Sequence, residues 1–345
     1  MNLENLVRKN ILQMKAYSSA RDEFTKSVGQ MLFMDANENP FSSGYNRYPD
    51  PYATQLRSKI AVQKQIPEEN ILLGNGSDEV LDLLFRLFCE PKKDEIIITP
   101  PTYGMYKVLA NLNEVGIKKV NLNSNFDLVS SHILEALDEN TKLIFICSPN
   151  NPSGNLMSVQ SIKKILANFE GIVVIDEAYI DFSDRSSFIR ELNMYPNLVV
   201  IQTFSKAWAH AGIRLGMCFA SKEIIALLNK IKPPYNLNQL TQEKALQVLD
   251  EAETYQNQIQ MLISEREILK SKLEKIAWVQ KVYTSDANFL LTQVDEADKR
   301  YQQLIDFGVV VRNRTKEVNC SNCLRISLGT PDENAYLLTI LQQLS

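Results

Sequence analysis

A lysine set among hydroxyls at the end of an apolar run is the first candidate for chemistry. Thr203-Phe204-Ser205-Lys206 follows the run 198–202 (LVVIQ), and Ala207-Trp208 and then Arg214 come after it. Hydroxyls and a guanidinium can anchor a phosphate, while apolar neighbours depress an amine's pKa and free it as nucleophile or base. A solitary loop lysine is ordinarily solvated, so its meaning depends on what else the chain sends to the same place.

Three other segments carry comparable signals. Ile172-Val173-Val174-Ile175-Asp176-Glu177-Ala178-Tyr179 ends an apolar run on two acids. A carboxylate there must be solvated, paired or functional, because an unpaired buried charge is expensive; a helix cap or a surface ion pair is the plainer alternative. Cys147-Ser148-Pro149-Asn150-Asn151-Pro152-Ser153-Gly154 leaves another apolar run through a turn rich in Asn, Pro and Gly, which can be a turn and nothing more. Leu73-Gly74-Asn75-Gly76-Ser77-Asp78-Glu79 precedes a helical pattern at 80–88. Glycines followed by Ser and Asp at a helix start expose free backbone N–H groups, a ready anion site, although a simple N-cap explains the same residues.

The elements that must position these residues follow from periodicity. Strand patterns at 95–99, 142–147, 172–176, 198–202 and 215–220 alternate with helical patterns at 79–89, 103–113 and 158–169. Several strands are apolar on successive residues, as expected when both faces of a sheet are covered. The reading is an α/β fold, a mostly parallel central sheet sandwiched by helices. Ligands of such sheets bind at the carboxyl ends of the strands, where the Asn, Asp and Lys segments lie. After Pro233-Pro234 the pattern changes to a long helical stretch over 238–275. Strand-like runs follow at 278–283, 287–292, 309–312 and 324–328, with helices at 297–307 and 331–343. The expected organisation is an N-terminal arm over 1–30, a large α/β domain over 31–232 whose first residues can join the smaller one, and a small α+β domain over 233–345.

Bulk properties narrow the class. A chain of 345 residues with 45% hydrophobic and 23% charged residues is of ordinary globular composition and exceeds one core. A formal net charge of −4 and the absence of a long Lys/Arg block argue against nucleic-acid binding. Five cysteines in so long a chain do not make a disulfide scaffold. Without a signal-peptide pattern or an apolar run of membrane-spanning length, a cytoplasmic location is expected. Cys320 and Cys323 lack a second cysteine pair or a nearby histidine, so a metal site is not expected.

Taken in order, Gly76-Ser77-Asp78, Tyr103, Asn150-Asn151-Pro152, Asp176-Glu177-Ala178-Tyr179, Ser205-Lys206 and Arg214 resemble the fold-type I pyridoxal-phosphate (PLP) aminotransferases over nearly the whole chain. The resemblance implies that Lys206 holds the aldehyde of PLP as a Schiff base and shuttles the substrate proton. It further implies that Asp176 keeps the pyridine nitrogen protonated, that Tyr179 and Asn151 bond the phenolate oxygen, and that Tyr103 stacks on the ring. It implies as well that Thr203, Ser205, Arg214 and the amides of Ser77 and Asp78 hold the cofactor phosphate.

Further stretches resemble the histidinol-phosphate aminotransferase family: Ala36-Asn37-Glu38-Asn39-Pro40, Arg47-Tyr48-Pro49-Asp50-Pro51, Phe88-Cys89-Glu90-Pro91, Pro100-Pro101-Thr102-Tyr103-Gly104-Met105-Tyr106, Val311-Arg312 and Cys323-Leu324-Arg325-Ile326-Ser327-Leu328-Gly329-Thr330. Membership implies that Arg312, Arg325 and Tyr17 bind the substrate phosphate, that Asn37 contacts substrate, and that Tyr48 reaches the PLP phosphate of a neighbouring subunit in a homodimer. The implied reaction converts L-histidinol phosphate and 2-oxoglutarate to imidazole-acetol phosphate and L-glutamate, in L-histidine biosynthesis. An aromatic amino-acid aminotransferase or a PLP-dependent threonine-phosphate decarboxylase would reuse the same scaffold. A PLP-fold transcription regulator would need an added DNA-binding module, for which the region before residue 30 leaves no room. His210 and Trp208 depart from the common pattern between Lys206 and Arg214; His210 and His132 read as packing or surface residues.

Overall fold

The computed structural model describes residues 3–17 and 32–344; half of the expected N-terminal arm, residues 1–2 and 18–30, lies outside them. Seven strands build the main sheet: β1 (Ile71–Asn75), β2 (Glu95–Ile98), β3 (Gly116–Lys119), β4 (Thr141–Cys147), β5 (Ile172–Asp176), β6 (Leu198–Thr203) and β7 (Leu215–Phe219), in the order β1-β7-β6-β5-β4-β2-β3. Neighbours β3, β2, β4, β5 and β6 are parallel, while β7 runs antiparallel to both β6 and β1. The expected mostly parallel sheet, covered by helices, is present.

Alternation along the buried strands separates two apolar layers. Ile144, Ile146, Val173, Ile175 and Val200 join one core, and Leu143, Phe145, Val174, Val199 and Ile201 the other, as a period of two requires. Each layer is closed by amphipathic helices, including Ser77–Phe88 on the second face and Val159–Asn168 on the first.

β1 and β3 are absent from the strand readings above, and both are sheet edges. In β3, Gly116-Ile117-Lys118-Lys119 is only half-buried and carries two lysines that discourage further pairing; β1 is a short buried apolar run, Ile71–Gly74, that leads directly into the turn before the next helix. Helices Thr54–Lys64 and Lys222–Ile231 were likewise not expected. The stretch read as one helix over 238–275 is two, Gln239–Asp250 and Ala252–Leu273, parted at Glu251.

A second, antiparallel sheet follows: β8 (Val279–Val282), β9 (Phe289–Val294), β10 (Arg312–Asn313) and β11 (Cys323–Ser327), in the order β10-β11-β9-β8. One face packs on Ala297–Asp306, Pro331–Gln343 and Ala252–Leu273 through Leu290, Val294, Leu324 and Ile326. The other, with Phe289, Leu291 and Cys323, merges into the core of the large sheet. That shared core fixes the β10–β11 edge relative to the carboxyl ends of β4, β5 and β6. Among the described residues, no helix is long and apolar enough to cross a membrane.

Candidate active site

The carboxyl ends of β4, β5 and β6 open into a cavity of about 620 Å³. Cys147, Asp176 and Thr203 are the last residues of these strands, and all three line the cavity. It also receives Ser77, Asp78, Tyr103, Asn151, Tyr179, Ser205, Lys206, Arg214, Arg312 and Arg325, so residues spread over some 250 positions of sequence meet in one cleft.

Asp176 forms its buried floor. Its carboxylate accepts hydrogen bonds from the Tyr106 hydroxyl at 2.8 Å and the Ala178 N–H at 3.1 Å. Tyr106 is fully buried and stacked on Phe145 with ring centroids 4.9 Å apart, which fixes the hydroxyl's position. Burial still drives the Asp176 pKa upward against these two donors, because neutral donors do not replace the solvation of a full charge. A cation facing Asp176 from the cavity would complete its environment. Glu177, one residue on, points to the other face of the sheet, as alternation demands. It bonds Ser187, the Phe188 N–H at 2.7 Å and Gln202 at 2.9 Å, with its pKa pushed up by burial to about 7. Of the two acids, Asp176 alone lines the cavity.

Lys206 opens onto the cleft, its Nζ 5.7 Å from the centre of the Tyr179 ring. Its pKa is lowered, first by desolvation and then by the charge of Arg325, against the pull of Asp176. An accessible amine with a depressed pKa is what a nucleophilic lysine needs. Burial raises the Tyr179 pKa, so its hydroxyl stays a proton donor. Tyr103 bonds Asp78 at 3.1 Å and meets Tyr106 edge to face at 5.6 Å.

An anion cradle lies where β1 and β7 pair. The helix Ser77–Phe88 begins at Gly76, with φ +78° and no side-chain cap, leaving its first N–H groups available on the cavity side. A Cβ on Gly216 would stand 2.3 Å from the Ser77 nitrogen and the Gly76 carbonyl carbon. Glycine there lets β7 approach closely, and the Gly76 N–H donates to the Arg214 carbonyl at 2.8 Å. Arg214 then reaches Asp78 at 3.8 Å and Ser205 at 3.5 Å. The Thr203 oxygen accepts the Ser205 N–H at 3.1 Å and lies 3.1 Å from the Leu215 carbonyl, which ties Thr203 to the turn that presents Ser205.

On the second sheet, Arg312 and Arg325 are direct cross-strand partners, so their side chains leave the same face. Arg325 donates to the Asn151 side-chain oxygen at 2.5 Å and lies over the Phe289 ring at 5.1 Å. Since arginine has only donors, the Asn151 atom it meets is oxygen, and the amide's two N–H groups remain for another partner.

The described chain does not bring every expected residue here. Asn37, in left-handed backbone at φ +54°, and Tyr48 line a separate cavity of about 470 Å³, where Tyr48 stacks on Tyr235 at 4.5 Å. Tyr17 is exposed at the edge of the described segment. His210 packs edge-on against Tyr255 and bonds the Trp208 carbonyl, while His132 is exposed. Cys320 and Cys323 are buried in the core. Sequence reasoning gave no role to Tyr106, Arg314 or Glu317. The signal for Tyr106 was its place three positions after Tyr103; for Arg314 it was the two-residue spacing from Arg312 in a strand pattern.

Residues 33–341 match the family model "Aminotransferase class I and II". A histidinol-phosphate aminotransferase of Flavobacterium johnsoniae is 53% identical over 345 residues, covering 100% of this chain and 99% of that protein. One of Parabacteroides distasonis is 54% identical over 343 residues, covering 99% of each. Among solved structures, the histidinol-phosphate aminotransferase of Clostridium acetobutylicum superposes with a TM-score of 0.81 at 25% identity, over 87% of this chain and 91% of that one. L-threonine-O-3-phosphate decarboxylase of Porphyromonas gingivalis gives 0.73 at 21% identity, over 86% and 90%, a likeness of fold alone.

Proposed function

Because the chain belongs to the class I and II aminotransferases, enzymes that work with PLP, we propose that its cleft moves the amino group of L-histidinol phosphate to 2-oxoglutarate, giving imidazole-acetol phosphate and L-glutamate. The observation that carries this reading is full-length likeness, at half identity or better, to proteins of that named activity. The paired arginines in the same cleft as Lys206 support it. The decarboxylase and aromatic-aminotransferase alternatives have no comparable support.

The residues present fit PLP. A buried carboxylate short of a counter-charge suits a protonated pyridine nitrogen, and the uncapped helix start with Ser205 and Arg214 suits a phosphate. PLP supplies an electron sink for the carbanion left when the donor loses its Cα proton. With PLP bound, Lys206 would hold the cofactor's aldehyde carbon, and its free amine would carry a proton between the donor Cα and cofactor C4′. Asp176 keeps the proton on the pyridine nitrogen. Tyr179 and the free N–H groups of Asn151 donate to the phenolate oxygen, and Tyr103 covers the ring. Ser205, Arg214 and the N–H groups of Ser77 and Asp78 hold the phosphate, with Thr203 orienting Ser205.

Arg312 and Arg325, both in the Lys206 cleft, bind the donor's far end with Tyr17, and Asn37, which lies with Tyr48 in the separate cavity of its own chain, contacts the substrate elsewhere. A desolvated charge-assisted contact costs about 2–5 kcal/mol when one partner is removed. Arg312→Ala should therefore lower kcat/KM for histidinol phosphate about 30-fold or more. Arg325→Ala should impair histidinol phosphate and glutamate alike, because both donors use the cleft in turn. Wild-type enzyme should strongly prefer histidinol phosphate to histidinol in single-turnover assays; equal use of the two would remove the substrate assignment and leave the aminotransferase intact.

Tyr48 completes the cofactor phosphate site of a second subunit in a cytoplasmic homodimer; its place away from the Lys206 cleft of its own chain supports this reading. Mixing impaired Tyr48→Phe with inactive Lys206→Ala subunits should regenerate activity, since each hybrid carries one site with both native residues. No recovery after verified subunit exchange would count against a shared site.

A further inference from the structure

A third arginine enters the cleft without an assigned task. Arg314 follows β10, and its N–H donates to the Cys323 carbonyl at 2.8 Å, extending the β10–β11 ladder by one residue. Two positions after Arg312, it falls on the same side of an extended chain, and both line the cavity with Arg325. Its ion pair is with Glu317, at 3.8 Å, a long contact. The buried Nε of Arg314 and that of Arg325 have no hydrogen-bond acceptor among the described residues. Burial lowers the pKa of both guanidinium groups, and so does the charge of Arg312 on Arg314 and of Arg314 and Arg312 on Arg325. Three guanidinium groups gathered with donors to spare are costly unless an anion joins them.

We propose that Arg314 is a third guanidinium of the substrate's anion subsite, and that its exchange between Glu317 and the ligand distinguishes a dianionic phosphate from a monoanionic carboxylate. This rests on the histidinol-phosphate reading above. A carboxylate offers two oxygens, which Arg312 and Arg325 suffice to bind. A phosphate monoester offers three terminal oxygens and a second charge, so one oxygen is left for Arg314. Drawing Arg314 from Glu317 to another single-charged carboxylate exchanges like for like. A dianion gains from the exchange. The cleft must accept both ligands in alternate half-reactions, and the Arg314–Glu317 pair lets it do so without binding the carboxylate as tightly as the phosphate.

The test compares Arg314→Ala, Arg314→Lys and Glu317→Gln holoenzymes in separate half-reactions with histidinol phosphate and with glutamate. It adds inhibition of the glutamate half-reaction by inorganic phosphate. Arg314→Ala should lower kcat/KM for histidinol phosphate about 30-fold and that for glutamate less than about threefold, and should weaken phosphate inhibition. Arg314→Lys should recover part of the loss, since it restores charge without the fork. Glu317→Gln should improve glutamate use and narrow the ratio between donors. Equal losses on both donors with Arg314→Ala, or an unchanged ratio with Glu317→Gln, would overturn the inference. Neither result touches the donor assignment, which fails only if wild type uses histidinol as well as its phosphate. In that event inorganic phosphate still tests Arg314.

Discussion

Replacing Lys206 with alanine is expected to abolish transamination, with kcat falling by about 10⁴-fold or more. Two functions are lost together: the covalent hold on the cofactor and the group that moves the proton between the donor Cα and cofactor C4′. Proton transfer alone accounts for about 10²–10⁴-fold, and losing the covalent hold adds to it. The side chain lies open to the cleft rather than in the core, so the alanine variant should fold, and an unchanged thermal midpoint of cofactor-free protein would verify this. Borohydride treatment of the wild-type holoenzyme should leave cofactor covalently on the peptide containing Lys206. Recovery of the label on any other lysine would remove Lys206 from this role.

Asp176→Asn is expected to lower kcat on the order of 10²–10³-fold, the usual effect of removing one preorganised electrostatic partner. The loss should fall on kcat more than on KM, because the pyridine proton matters most when the carbanion forms. Shape is nearly preserved: the oxygen of the substituted amide can still accept the Ala178 N–H, and the Tyr106 hydroxyl can turn to accept from its N–H group. The buried carboxyl has a raised pKa, so the folded chain holds its proton more tightly than the unfolded one. Its contribution to the stability of cofactor-free protein is therefore present below the unfolded pKa, about 3.9, and is lost as pH rises through the higher folded value. At neutral pH cofactor-free Asp176→Asn should accordingly be at least as stable as the parent. A near-normal kcat would exclude Asp176 from holding the pyridine proton, and a large drop in cofactor-free stability would point to a purely structural role.

The sequence by itself determined what is encoded locally. The strands β2, β4, β5, β6 and β7 declare themselves because a strand buried on both faces must be apolar at consecutive positions. The residues that break those runs at their carboxyl ends, Asp176, Thr203 and the Asn150-Asn151 turn, follow from the same logic, since polar groups at the end of a buried strand need a reason to be there. Edge strand β3, half-buried and carrying two lysines, had no such signature, whereas β1 is apolar and buried over Ile71–Gly74 but is short and runs straight into the Gly-Ser-Asp turn.

Tertiary structure alone decided which of these residues meet. Nothing in Asp176-Glu177 says which acid faces the cleft until β5 is inserted between β4 and β6 and its faces are assigned. Tyr106 became the partner of Asp176 only when its helix packed over Phe145. The β10–β11 pairing set Arg312 beside Arg325 across twelve residues of intervening chain, and extension of that ladder carried Arg314 to the same side. A shared core between Phe289 on the second sheet and Tyr179 after β5, ring centroids 5.2 Å apart, then brought this edge to the lysine. Periodicity records only a residue's own environment, local and averaged along one element. The convergence of charges from β5, from β10 and β11, and from the segments that follow β1 and β6 depends on long-range packing, which no single segment encodes.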